Sequence, residues 1–176
     1  MSTRLLTIVC CVLALVICAL PLAAQQPPKP GPEHEMLKKF EGTWDATVNL
    51  GGMESKGTSK YKMALGGFWL VNEFTGEIAG GKFEGRGATG YDPIKKKYVG
   101  AWIDSMSPTL MVMEGNFDKE GKTYTETGEG PGPEGKLQKM KSVIEFKDDD
   151  NMVFTMYTVA DGKDQEMFKI TYKRKK

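Results

Sequence analysis

Over most of the chain beyond Trp44, apolar residues return at every second position, and the run is broken about every ten residues by glycine, proline or aspartate. A period of two sends successive side chains to opposite faces of an extended backbone, so the pattern calls for strands rather than helices. Trp44, Ala46, Val48 and Leu50 alternating with Thr43, Asp45, Thr47 and Asn49 is the clearest case. Similar segments are expected near 55–64, 68–78, 82–91, 97–104, 109–117, 123–128, 137–147, 152–160 and 165–173. Gly51-Gly52, Gly66-Gly67, Gly80-Gly81, Asp92-Pro93, Gly130-Pro131-Gly132-Pro133 and Asp161-Gly162 supply turns between them. Glycine allows positive φ, proline presets φ, and aspartate bonds the nearby backbone.

No helical pattern separates these segments, and parallel neighbours need a long crossover, so consecutive strands are expected to be antiparallel. Open sheet edges invite aggregation, which closure removes. The expected fold class is all-β: a single antiparallel up-and-down barrel of about ten strands. Ahead of it, Pro32 suits a first helical position, Glu33 and Glu35 favour the positive end, and Met36, Leu37 and Phe40 fall at helical spacing up to Gly42. This short helix is expected to cap one end of the barrel.

Residues 1–24 read as an export signal: Arg4, an apolar run from Leu5 to Leu20, a break at Pro21, and the small pair Ala23-Ala24 at the cut. The run stops short of the roughly 20 residues a membrane-spanning helix needs. A lipoprotein site at Cys18 would want a small residue before it, and Ile17 stands there. Cleavage near Ala24 removes all three cysteines, leaving no disulfide framework. Residues 25–32 are proline-rich and read as a linker, with a single domain over 33–176. The expected location is periplasmic or secreted, with no transmembrane segment in the mature form.

One of the 24 basic residues and none of the 23 acidic ones lie in the signal, so the mature balance is 23 against 23. A neutral chain lacks the excess of cations that phosphate neutralisation requires, which argues against a nucleic-acid partner. Gly85-x-Gly87-x-x-Gly90 has dinucleotide-fingerprint spacing, but Tyr91-Asp92-Pro93 puts a turn where that motif needs a helix, so the glycines read as thin points of a strand. His34 is the sole histidine, and its place in the helix reads as a surface position rather than a catalytic one. Zinc would need cysteines or a second histidine, and the run Asp148-Asp149-Asp150 lacks the glycine and distal glutamate of a calcium loop. No cofactor is expected.

Phe40-Glu41-Gly42-Thr43-Trp44, a short helix running into Gly-x-Trp on the first strand, resembles the opening of calycin barrels, the superfamily of lipocalins and fatty-acid-binding proteins. Further features are Gly66-Gly67-Phe68-Trp69-Leu70, the stretch from Gly85 to Asp92, Tyr98, Trp102-Ile103-Asp104-Ser105 and Ile170-Thr171-Tyr172-Lys173-Arg174. Together these are similar to a bacterial family catalogued as domain of unknown function number 1579. The resemblance runs from about Glu35 to Lys175 and implies a calycin-like barrel without an activity to carry over. A haem barrel of the nitrobindin type, which the resemblance would otherwise suggest, takes its iron ligand from a histidine on a late strand. Met152, Met156, Met167, Tyr157 and Tyr172 occupy the late strands here.

Tyr98, Gly100, Trp102 and Asp104 share one face of their strand, and Val99, Ala101 and Ile103 the other; alternation alone leaves open which faces inward. Ten methionines lie beyond the signal, and flexible thioethers suit either an ordinary core or a pocket that repacks around its guest. The leading expectation is an exported barrel that binds a small hydrophobic or amphipathic ligand. Its candidate ligand-binding residues are Trp102, Asp104, Met113, Phe154, Tyr157 and Phe74, with Arg86 partnering Asp104. The alternatives are a small-molecule isomerase, cyclase or hydrolase using Asp104, or a filled barrel acting through its surface, with Asp104 in a structural pair. Trp44 is expected to pack across the barrel base.

Overall fold

The computed structural model describes residues 28–78, 80–132 and 135–176; the expected signal peptide and its cleavage site lie outside them. Pro32 opens a helix, α1 (Pro32–Leu37), which tightens into a 3-10 turn (Lys38–Phe40). Ten strands follow: β1 (Gly42–Leu50), β2 (Met53–Ala64), β3 (Trp69–Ile78), β4 (Gly81–Asp92), β5 (Lys97–Asp104), β6 (Ser107–Phe117), β7 (Thr123–Pro131), β8 (Leu137–Phe146), β9 (Asn151–Ala160) and β10 (Lys163–Arg174). Each pairs antiparallel with its sequence neighbours, and β1 closes on β10 through registers such as Ala46 to Tyr172 and Val48 to Ile170. The expected up-and-down barrel of ten strands is the observed one. Bulges after Trp102 and at Met167 bend the ladders of β5 and β10.

Trp44 anchors the closed end. Its side chain is fully buried, its Nε1 donates to the Phe40 carbonyl at 2.8 Å, and the Arg174 guanidinium lies 4.0 Å from its ring centre. Arg174 in turn donates to the carbonyls of Glu41, Lys39 and Asp149, so one side chain ties both chain ends and the β8–β9 turn together. Phe40 stacks among Tyr61, Phe117, Tyr124 and Phe146 with ring centres 4.9–6.3 Å apart. The Tyr98 hydroxyl donates to the Glu33 carbonyl at 2.9 Å, fastening α1 across this end, as the sequence led one to expect.

His34 departs from its expected surface position. It is 8 % exposed, stands edge-on to Phe68 at 5.3 Å, and accepts the Gly31 N–H at Nδ1. The turn before β3 folds Phe68 back over the helix, a tertiary contact that helical spacing alone does not reveal.

The three glycines with fingerprint spacing serve tryptophan rings. A Cβ at Gly85 would stand 2.1 Å from Trp102 Cζ2, one at Gly87 2.9 Å from Trp102 Cε3, and one at Gly90 2.8 Å from Trp69 Cε3. Gly85 and Gly87 on β4 thus form the flat seat on which the indole of Trp102, paired across on β5, lies. Gly85→Val is expected to lift that ring off its seat at a cost of about 1–3 kcal/mol, read as a lower melting temperature with a shift in tryptophan emission. An unshifted emission maximum would mean that the ring does not rest there.

Candidate functional site

Alternation inside a barrel this wide leaves space that side chains do not fill. The strands enclose a cavity of about 560 Å³, within the range usual for small-molecule sites. Its closed end is the aromatic base around Phe40, and its mouth lies among Leu50, Ile78, Phe83, Asp104, Met106 and Pro131, at the turns opposite the base. Met113, Met140 and Met156 form a buried thioether cluster on one wall, with Met111, Met167 and Phe168 packed beside it. Because unbranched thioethers change rotamer at little cost, this wall can adjust to a guest.

The structure brings Phe74, Trp102, Asp104, Met113 and Phe154 together on the cavity wall. Two expected members stand elsewhere. Arg86 points outward from β4, exposed, with its guanidinium 3.4 Å from Glu73, so it does not partner Asp104. Tyr157 lies outside the cavity too, its ring beneath the Lys141 ammonium at 5.7 Å. Both corrections have one cause: Arg86 pairs across with Ile103 and Tyr157 with Lys141, positions on the outward half of the alternation.

Asp104 sits at the mouth and is fully engaged. Its Oδ1 accepts the N–H groups of Met106 and Ser107 at 2.8 and 3.1 Å, and its Oδ2 accepts Trp102 Nε1 at 3.1 Å. The carboxylate therefore shapes the β5–β6 turn and holds the indole in place, which is the structural reading of this residue.

A second carboxyl, unremarked in the sequence, lies deeper. Glu126 on β7 faces the cavity, accepting the Tyr124 hydroxyl at Oε1 at 2.6 Å and the Ser142 hydroxyl at Oε2 at 3.2 Å. The half-buried carboxyl lines the cavity. Burial pushes its carboxyl above the ordinary range, while the two hydroxyl bonds pull the other way and are outweighed. The phenols around it, Tyr61, Tyr124 and Tyr172, are likewise pushed up by burial, and Tyr98 is pushed up to about 12. Nearby, Asn72 Nδ2 donates to Ser59 Oγ at 2.7 Å. The cavity therefore has an apolar wall toward its mouth and a hydrogen-bonding patch near its base.

The signal for Glu126 was present but weak. Tyr124, Glu126, Gly128 and Gly130 share a face, yet the opposite face is Thr123, Thr125, Thr127 and Glu129. With both faces of β7 polar or small, hydrophobicity could not mark the inner one.

A family model described as "Protein of unknown function (DUF1579)" matches residues 29–174. Among solved structures, Rv2717c from M. tuberculosis superposes with a TM-score of 0.58 at 12 % identity, covering 83 % of this chain and 99 % of that one. The S-type phycobiliprotein lyase CPES from Guillardia theta gives 0.53 at 13 % identity, covering 84 % and 99 %. These likenesses show a shared barrel fold. No curated protein matches the sequence.

Proposed function

The chain belongs to the DUF1579 family of calycin-like barrels, and from that premise we propose that it is an exported barrel that binds a small apolar or amphipathic molecule. The observation carrying this reading is the cavity of about 560 Å³, open at one end and walled by methionines and aromatic rings. A barrel with no guest to hold gains stability by filling such a space, since voids forfeit contacts at the lining. The composition of residues 1–24 supports export.

Protein purified from the periplasmic or secreted fraction is expected to give a native mass above that of its polypeptide, the excess leaving on organic extraction. Its N-terminus is expected near Gln25. A native mass equal to that of the polypeptide and unchanged by extraction, together with no uptake of any added amphiphile, would overturn the binding reading. An intact residue 1 in the cytoplasmic fraction would overturn export.

A further inference from the structure

The polar groups lining this cavity are lopsided in charge. Asp104 and Glu126 carry carboxyls, and among the described lining residues there is no lysine, arginine or histidine. Asp104 is already matched by three donors at the mouth. Glu126 is not: two hydroxyls reach it, one on each oxygen, whereas a carboxylate offers about four acceptor sites. On β5 lies Gly100, where a Cβ would stand 2.9 Å from Thr89 Oγ1 and 3.3 Å from Glu126 Oε1, so glycine there lets the carboxyl and the Thr89 hydroxyl sit close against the strand, while the rest of Glu126 faces the cavity.

Resting on the carrier reading above, we propose that Glu126 is the anchor for the guest's head group, and that the guest is an amphiphile with a protonated amine, its apolar body lying along the methionine wall toward the mouth. Tyr124 and Ser142 both spend their hydroxyl protons on Glu126, which makes the patch rich in acceptors and suited to a guest that donates. An ammonium supplies several charge-assisted donors there. A guest carboxylate would instead meet a second carboxyl with no cation nearby.

The groups facing Glu126 support a proton exchange on binding. From β7 comes Tyr124, from β8 Ser142, from β2 Tyr61, and behind these Tyr98 of β5 and Tyr172 of β10. All the titratable ones are phenols held neutral by burial, so Glu126 is the one carboxyl among them, and burial holds its proton above the ordinary glutamate range. Arrival of an ammonium favours its ionised form, and the proton it held leaves to solvent.

Decylamine, decanol and decanoate share one chain and differ in head group, so they form the test on the full mature protein. Calorimetry in two buffers of different ionisation enthalpy gives affinity and protons released. The amine is expected to bind roughly tenfold or more tighter than the alcohol, with net proton release that the alcohol does not show, and decanoate weakest. Glu126→Gln is expected to bring the amine level with the alcohol. Equal binding of amine and alcohol by the parent protein, or tightest binding of decanoate, overturns the anchor assignment while the carrier reading survives. Binding of none of the three overturns the anchor assignment, and together with a native mass unchanged by extraction it overturns the carrier reading. The comparison within the parent protein decides the matter even if the variant does not fold.

Discussion

Trp44→Ala is expected to lower stability by about 3–5 kcal/mol, the usual range for removing a large ring from a packed core. The side chain is fully buried, and three different supports depend on it. The Phe40 carbonyl loses the Nε1–H donor that satisfies it at 2.8 Å. The Arg174 guanidinium loses the ring face 4.0 Å away. The seam between β1 and β10, where Trp44 registers with Arg174, loses its innermost filler. Denaturant unfolding measures the loss directly. A midpoint equal to the parent's would mean that the base is held by something other than this ring. Trp44→Phe should fall between the two, since it keeps the aromatic volume and loses only the Nε1–H donor and the larger ring.

Stability is expected to lose the Glu126 contribution as pH rises above the ordinary glutamate range, and Glu126→Gln is expected to remove that loss. The sign follows from burial, which holds the Glu126 proton above the ordinary glutamate range in the folded chain. Between the ordinary value of about 4.3 and the folded value, the folded chain binds one more proton than the unfolded one. The contribution is thus whole below the ordinary value and is lost as pH climbs through the folded one. Glu114, Asp118 and Asp148 act oppositely and at the acid end: Lys95 lowers Glu114, the Lys122 N–H lowers Asp118, and Asn151 lowers Asp148, so their contributions vanish as pH falls. Melting curves of the parent and of Glu126→Gln from pH 2 to pH 9 separate the two ends. The variant should gain on the parent steadily with pH; parallel curves would show that Glu126 is not the group paying for ionisation. On the amine-anchor proposal, the stability that a buried carboxyl costs is offset when a cationic guest meets it.

Trp102 links this stability argument to binding. Its ring lies on the seat formed by Gly85 and Gly87, its Nε1 is bonded to Asp104, and its other face looks into the cavity. A guest along the methionine wall passes close to it, so its emission serves as a built-in reporter for the titrations above.

Which parts of this could be read from the chain, and which could not, divides by distance. Strand positions, turns and the short helix follow from neighbours a few residues apart: the alternation at Trp44, Ala46, Val48 and Leu50, the glycine pairs, and Pro32 ahead of two glutamates; closure followed from the need to leave no sheet edge open. β5 was placed at its observed bounds, 97–104, because turn chemistry brackets it on both sides. Which face of β5 turns inward was decided elsewhere, by glycines 15 or more residues upstream on β4 that leave room for only one side to lie flat. Arg86 and Tyr157 went outward by the same cross-strand logic. Glu126 acquires its character from Ser142, Gly100 and Tyr61, which no local pattern joins to it. Local alternation is a property of the backbone and survives in the sequence; burial and charge are properties of the closed barrel, and they exist only once ten strands have brought distant side chains around one space.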